Sequence, residues 1–187
     1  MNILPIKGDS QRGVFFKNSS LFIHELAEYL HGKRVLEVFA GNGLLAGLLA
    51  QKGVQVTATT RFSGMDGHDY GLYYPVESMD APEAVRLYGA DHDVLLMSWP
   101  TVTNDAYTAA CLMKKPIVII GDVTDYGQNH LGGCATDDFW AQAKTIKVFE
   151  SYPGRWIEKA QVVEMLDKPK AQFLMDRENW ERQQNFA

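Results

Sequence analysis

Residues 34–49, RVLEVFAGNGLLAGLL, decide the fold of this chain. The stretch begins as an apolar run too short to span a membrane, turns on Gly41 and Gly43, and resumes with leucines at helical spacing. This order predicts a β-strand, a tight turn and an α-helix. In an open α/β sheet, the carboxyl end of such a strand and the free amides of the next helix form a ligand site. Glycines in the turn let a ligand approach the backbone.

The turn fits two classes of cofactor, and a purely structural turn is a third interpretation. The spacing Gly41-x-Gly43-x-x-Ala46 satisfies the G-x-G-x-x-G/A pattern of dinucleotide binding, in which a pyrophosphate lies on the helix N-terminus. Glu37 stands four residues before Gly41, inside an otherwise apolar strand. A carboxylate buried there needs a donor partner, because burying an unpaired charge is strongly unfavourable. A cofactor that carries an ammonium group supplies such a partner.

The pattern Glu37-x-x-x-Gly41-x-Gly43 resembles the first motif of the S-adenosylmethionine-dependent methyltransferases with a Rossmann-like sheet. The resemblance covers residues 34 to about 166. It implies an α/β, doubly wound sheet that is mostly parallel and ends in a C-terminal antiparallel hairpin. It also implies that the glycine loop lies against the amino-acid half of the cofactor. The cofactor-binding residues that follow from the resemblance are Glu37, Phe39, Ala40, Gly41, Asn42, Gly43, Thr59, Thr60, Asp80, Ala81 and Ser98.

The chain has 187 residues, of which 46% are hydrophobic, and this suits one domain with a single core. We expect an N-terminal segment and helix (1–33) packed on a cofactor-binding core (34–166), followed by a polar tail (167–187). The N-terminal residues contain no long apolar run, so neither a secretory signal nor a membrane-spanning helix is expected.

The two cysteines and the net charge exclude several classes of function. Cys111 and Cys134 are far apart and lack C-x-x-C spacing, which argues against a zinc site or a disulfide framework and favours a reducing cytoplasm. The formal net charge of -5 argues weakly against a broad nucleic-acid surface. Neither a membrane nor a nucleic acid is therefore an expected partner.

The end of the second predicted strand, 54–60, departs from the pattern of nucleotide-binding folds. An acidic residue is expected there to accept hydrogen bonds from the ribose. Thr59, Thr60 and Arg61 stand in that place, and a hydroxyl binds a ribose more weakly than a carboxylate does. Arg61 also favours a rival interpretation, because an arginine here can bind the 2′-phosphate of NADP.

Two further motifs can be compared with the methyltransferases. Asp80 is placed to cap a helix, and the pair Asp80-Ala81 resembles the third motif, in which an acidic side chain binds the adenine amino group. Ser98-Trp99-Pro100 ends a buried strand at the position of the fourth motif, where amino-methylating members carry Asn or Asp followed by Pro-Pro and an aromatic residue. The different order here weakens the expectation of amino-group methylation. Trp99 either stacks on a flat substrate, contacts the sulfonium or packs in the core.

Two long polar segments are expected to flank one cleft. Residues 61–75 and 121–138 both leave the carboxyl edge of the predicted sheet and contain several glycines and aspartates, and the first is also rich in tyrosine. Both are candidate lids. Elsewhere in the chain we predict helices at 20–31, 44–51 and 105–113 and a short helix around residue 180. We predict further strands at 93–98, 116–120, 145–151 and 161–166.

These patterns together predict a protein that binds S-adenosylmethionine and transfers its methyl group to an acceptor that the sequence does not identify. Because the sulfonium is already activated, the reaction depends mainly on alignment of the acceptor. The candidate catalytic residues are Ser98, Trp99 and Asp122. The alternatives are an NADP-dependent oxidoreductase and a non-catalytic cofactor-binding protein with the same fold.

Overall fold

The computed structural model describes residues 3–6, 14–62 and 71–185. The helices in this part of the chain are α1 (Ser20–Leu30), α2 (Leu44–Gln51), α3 (Ala81–Tyr88), α4 (Asn104–Met113), α5 (Asp137–Gln142) and α6 (Ala171–Gln184). The strands are β1 (Arg34–Val38), β2 (Gln55–Thr60), β3 (Val76–Ser78), β4 (Val94–Ser98), β5 (Ile117–Asp122), β6 (Ala143–Val148) and β7 (Glu158–Met165).

All of these strands form one sheet in the order β3-β2-β1-β4-β5-β7-β6. β1 to β5 run parallel to one another, whereas β7 is antiparallel to β5 and to β6. The predicted doubly wound α/β sheet with a C-terminal antiparallel hairpin is therefore confirmed. The strand order reverses at β1, which lies between β2 and β4, and ligands bind at such a reversal in open α/β sheets.

Side chains of the central strands alternate between two hydrophobic clusters, one on each face of the sheet. In β1, Val35 packs in the cluster that holds α1 and α2, whereas Leu36 packs in the cluster that holds α3, α4 and α5. The same alternation is found in β4 and β5, which explains why these strands are almost wholly apolar. By this alternation Glu37, two residues after Val35, lies on the face covered by α1 and α2.

Three features of the fold differ from the prediction. β3 was not predicted, because its three residues carry no period of their own and pair only with the end of β2. The closing hairpin begins earlier than expected, since β6 starts at Ala143 directly after α5, and β7 starts at Glu158. The predicted polar tail contains the long helix α6, which is anchored to the core through Phe173.

None of the described helices is both long enough and apolar enough to cross a lipid bilayer.

Candidate functional site

Glu37 is the most unusual polar residue of the described core. Its side chain is 1% exposed, and neither carboxyl oxygen has a hydrogen-bond partner among the described residues. Burial raises the pKa of Glu37 to about 8, and the nearby backbone amide of Ala46, which lacks hydrogen-bond geometry, offsets the rise only in part. A group in this state lacks the donor that would stabilise its charge.

The glycine loop after β1 has a strained start and a tightly packed end. Phe39 has φ of 58°, which is costly for a residue with a side chain, and such strain is concentrated at functional sites. Gly41 also has positive φ. At Gly43, with φ of 79°, a Cβ would lie 2.8 Å from Val76 Cγ2 and 3.1 Å from the Tyr74 carbonyl oxygen. Gly43 therefore has a packing role, in which this glycine lets the segment before β3 close on the loop.

A narrow pocket of about 30 Å³ surrounds Glu37, and we call it the inner pocket. The residues that line it come from β1, the glycine loop, the first turn of α2, the end of β4 and the segment 14–16. The free amides of the α2 N-terminus favour a negative charge there, whereas Glu37 favours a positive one. Its lining residues are Val14, Phe15, Phe16, Glu37, Phe39, Ala40, Gly41, Asn42, Leu44, Leu45 and Ser98.

A larger cleft of about 500 Å³, the outer cleft, adjoins the inner pocket along the carboxyl edge of the sheet. The two share Phe15, Phe39, Gly41 and Ser98, so they are adjacent, and we call them together the depression. The outer cleft has the volume of a small-molecule site. Its lining residues are Phe15, Phe39, Gly41, Thr60, Arg61, Asp80, Ala81, Ser98, Trp99, Pro100, Thr101, Thr103, Asp105 and Gly133.

One end of the outer cleft lies at the carboxyl end of β2. Thr60 and Arg61 line it, whereas Thr59 is fully buried behind them, with its hydroxyl 3.4 Å from the Glu37 carbonyl oxygen. Asp80 Oδ1 accepts a hydrogen bond from the Glu83 amide at 2.8 Å, which confirms the predicted helix cap. The other oxygen, Oδ2, is 3.4 Å from the Arg61 guanidinium. Both carboxyl oxygens of Asp80 thus have partners without a ligand.

The ends of β4 and β5 form the opposite end of the cleft. Ser98 and Trp99 line it, and Trp99 has φ of 53°. Asp122 lies behind this wall, because a Cβ at Gly133 would be 3.6 Å from Asp122 Oδ2. Burial is the main reason that the pKa of Asp122 is raised, and the neighbouring Glu158 carboxylate adds to the effect.

The structure brings most of the predicted site residues to this depression. Gly43, Thr59 and Asp122 stand outside its lining. Arg61 and Gly133 come from the two long polar segments, so these flank one cleft as predicted, although residues 63–70 of the first segment lie outside the described part of the chain. Sequence reasoning missed the segment 14–16, Thr101, Thr103 and Asp105. Only the position of Thr101, Thr103 and Asp105 within seven residues of the end of β4 was a usable signal.

Within the described ranges, no group of three His, Cys, Asp or Glu side chains is placed to hold a metal ion.

Several solved structures share this fold. The chain aligns with the glycopeptide N-methyltransferase MtfA in complex with S-adenosyl-L-homocysteine at a TM-score of 0.51 and 12% identity, over 81% of this chain and 92% of that one. It aligns with magnesium protoporphyrin IX methyltransferase (ChlM) from Synechocystis PCC 6803 with bound SAM (S-adenosylmethionine) at 0.51 and 12%, over 77% and 78%. The mitomycin 7-O-methyltransferase MmcR gives 0.53 and 12%, over 79% of this chain and 54% of that one. The chain has the fold of S-adenosylmethionine-dependent methyltransferases.

At these identities the likeness to the methyltransferases shows the fold alone. The sequence matches no protein-family model and no curated protein. These comparisons therefore do not identify the methyl acceptor.

Proposed function

We propose that this protein binds S-adenosylmethionine in the joined inner pocket and outer cleft and transfers its methyl group to a small acceptor. The observation that carries the proposal is the buried Glu37 carboxyl, whose two oxygens lack partners among the described residues. A ligand ammonium would turn this unfavourable burial into a buried ion pair. The fold similarity supports the same cofactor.

The residues of the depression divide into those that would hold each part of the cofactor. Glu37 would hold the ammonium, and the amides at the start of α2 would hold the carboxylate. Thr60 and the Asp80-Ala81 pair line the end of the cleft that would take the nucleoside. Phe39 and Ser98 line both the inner pocket and the outer cleft, so they mark the junction where the sulfonium would lie.

S-adenosylmethionine supplies an activated methyl group, so the residues of this chain have to align an acceptor and manage one proton. Trp99 and Phe15 offer aromatic surface to the acceptor in the outer cleft. Ser98 is placed to orient a polar group of the acceptor. Asp122 has a raised pKa but stands behind Gly133, outside the lining, so it would accept the proton that the acceptor loses through one bridging water molecule.

The NADP interpretation is disfavoured by the charges of the site. A pyrophosphate on the glycine loop brings no cation to Glu37, so this buried carboxyl would stay protonated and without a partner among the described residues. Arg61, the candidate partner of a 2′-phosphate, is already paired with Asp80.

A non-catalytic protein that binds S-adenosylmethionine keeps the same inner pocket and differs only in the absence of transfer. Both cysteines are free, as suits the proposed cytoplasmic location.

Calorimetric titration of the wild type with S-adenosylmethionine, S-adenosylhomocysteine and NADP tests the cofactor, with Glu37→Gln as the diagnostic variant. We expect both sulfur ligands to bind, and we expect Glu37→Gln to weaken them by about 30- to 100-fold, since one member of a buried ion pair is lost. Glu77→Gln is the matched control, because Glu77 is an exposed carboxylate on β3 outside the cleft. Binding of NADP alone, or equal affinity in all three proteins, would contradict the proposal.

A further inference from the structure

The segment 14–17, which we call the strap, forms part of the wall of the inner pocket. Its residues Val14, Phe15 and Phe16 line that pocket, and no backbone hydrogen bond holds these three residues within the described part of the chain. Phe16 is buried in the core, whereas Phe15 is 60% exposed and its ring lies 6.3 Å from that of Trp99. The strap is therefore held by side chains and not by secondary structure.

Lys17 ties the strap to Tyr152, in the turn before β7, and to Glu158, at the start of β7, and we call these two contacts the latch. The Lys17 amide donates to the Tyr152 hydroxyl at 3.2 Å, and the Lys17 ammonium pairs with Glu158. The Tyr152 hydroxyl in turn donates to Glu158 Oε1 at 2.6 Å. The Glu158 side chain is only 8% exposed, so departure of Lys17 would leave a buried carboxylate without its cation. This makes the latch stronger than a surface ion pair.

The burial of Glu37 shows that the inner pocket is closed. Its side chain is 1% exposed and both carboxyl oxygens are buried, so a ligand cannot contact them until part of the wall moves. The glycine loop cannot yield easily, because Ala40 is hydrogen-bonded to Thr59 at 3.0 Å and Gly43 to Ala40 at 2.9 Å. The strap, which has no such backbone hydrogen bonds among the described residues, is the part of the wall that can move.

We propose that the strap is a gate, and that the latch of Lys17 with Glu158 and Tyr152 must open before a ligand can reach Glu37. This inference rests on the proposed function for the identity of the ligand. When opening precedes binding, the observed association rate reaches a plateau set by the opening rate. The apparent affinity is reduced by the fraction of closed protein.

Stopped-flow binding of S-adenosylmethionine tests the gate in Lys17→Met, which keeps the length of the side chain and removes its charge. We expect the plateau rate to rise about 5- to 20-fold, because the closed state loses a partly buried ion pair. Tyr152→Phe should raise it less, since Lys17 and Glu158 still pair. Lys147→Met is the matched control: Lys147 pairs with Glu25 at 3.0 Å and is similarly exposed, 39% against 41% for Lys17, but it does not touch the strap.

Thiol labelling reports the same motion without any ligand. Ala40→Cys in a Cys111→Ser background places one reactive group in the inner pocket, while the native Cys134 is buried. We expect Lys17→Met to raise the labelling rate of this cysteine by about the same factor as the binding plateau, because both report the opening of one gate. Lys147→Met should leave the rate unchanged.

The two measurements separate the gate from the cofactor. Equal plateaus and equal labelling rates in Lys17→Met, Lys147→Met and the wild type would overturn the gate, while S-adenosylmethionine binding would leave the proposed function standing. Faster labelling of Lys17→Met, with S-adenosylmethionine bound by no variant, would uphold the opening of the strap and overturn the proposed cofactor.

Discussion

The acidic residues in the two halves of the depression have opposite environments. In the inner pocket, Glu37 is buried and its oxygens lack partners within the described residues. At the far end of the outer cleft, Asp80 caps α3 with one oxygen and pairs with Arg61 through the other. A buried group without a partner requires a ligand to become stable, whereas a satisfied group has a structural role that needs no ligand. On the proposed function, we therefore expect binding energy and specificity to come mainly from the inner pocket.

The largest effect that would sharpen this comparison concerns the stability of the ligand-free protein. Because burial raises the pKa of Glu37 from 4.5 to about 8, the folded state retains a proton that the unfolded chain releases between these pH values. The free energy of unfolding should therefore fall as the pH rises from about 4.5 to 8. Glu37→Gln removes this fall, so its advantage over the wild type should grow by on the order of 3 kcal/mol between pH 5 and 8.

Urea unfolding of both proteins at pH 5, 6.5 and 8 measures that difference. Glu77→Gln, which changes an exposed carboxylate, should follow the wild type. A constant difference between Glu37→Gln and the wild type across this range would mean that Glu37 has a partner in solution, and the contrast between the two halves would disappear.

The next effect separates packing from ligand contact within the glycine loop. Gly43→Ala should lower the free energy of unfolding by about 2–4 kcal/mol, because backbone strain adds to a collision with Val76 and Tyr74. Gly53→Ala is the control for strain alone, since Gly53 has φ of 84° but open space around its Cβ position, and it should lose only about 1–2 kcal/mol. Similar losses in thermal or urea unfolding would contradict the packing role of Gly43.

A smaller effect is expected where the nucleoside half lacks a carboxylate. Thr60→Asp should tighten S-adenosylmethionine by about 1 kcal/mol, roughly five-fold, since a charged acceptor binds ribose hydroxyls more strongly than a neutral one. Thr60→Asn is nearly isosteric with it and isolates the charge. For a site that used Arg61 to bind NADP, the same substitution would weaken NADP instead, so calorimetry with both ligands distinguishes the two.

The smallest effect is expected for Asp80→Asn. Asparagine also caps helices, so the stability should change by less than about 0.5 kcal/mol. S-adenosylmethionine affinity should fall by less than about ten-fold, because only one charge-assisted hydrogen bond is weakened. A loss as large as that of Glu37→Gln, measured in the same titration, would show that the two halves contribute equally and would break the comparison.

Local sequence patterns were sufficient to predict most of the fold, whereas the elements that the prediction missed depend on long-range contacts. β1, β2, β4 and β5 could be predicted because each is a short apolar or β-branched run that ends at a turn. β3 could not, because its three residues become a strand only by pairing with β2. α6 is polar on nearly every side and buries Phe173, so it lacks the apolar period that identifies a helix.

The same distinction applies to the site. Glu37 and the glycine loop lie within one short motif, so their proximity follows from the sequence. Lys17 and Glu158 are 141 residues apart, and only the folded sheet brings them together. The packing role of Gly43 is also a tertiary property, because it depends on the chain that precedes β3.

The ionisation of Glu37 on cofactor binding is the central claim, and proton release measures it most directly. Titrations with S-adenosylmethionine at pH 7, in buffers of different ionisation enthalpy, give the number of protons exchanged. Because the pKa of Glu37 is about 8 before binding, the wild type should release close to one proton when the carboxyl pairs with the ligand ammonium. Glu37→Gln should release none. Binding to the wild type without proton release, or with the same release in Glu37→Gln, would contradict the account.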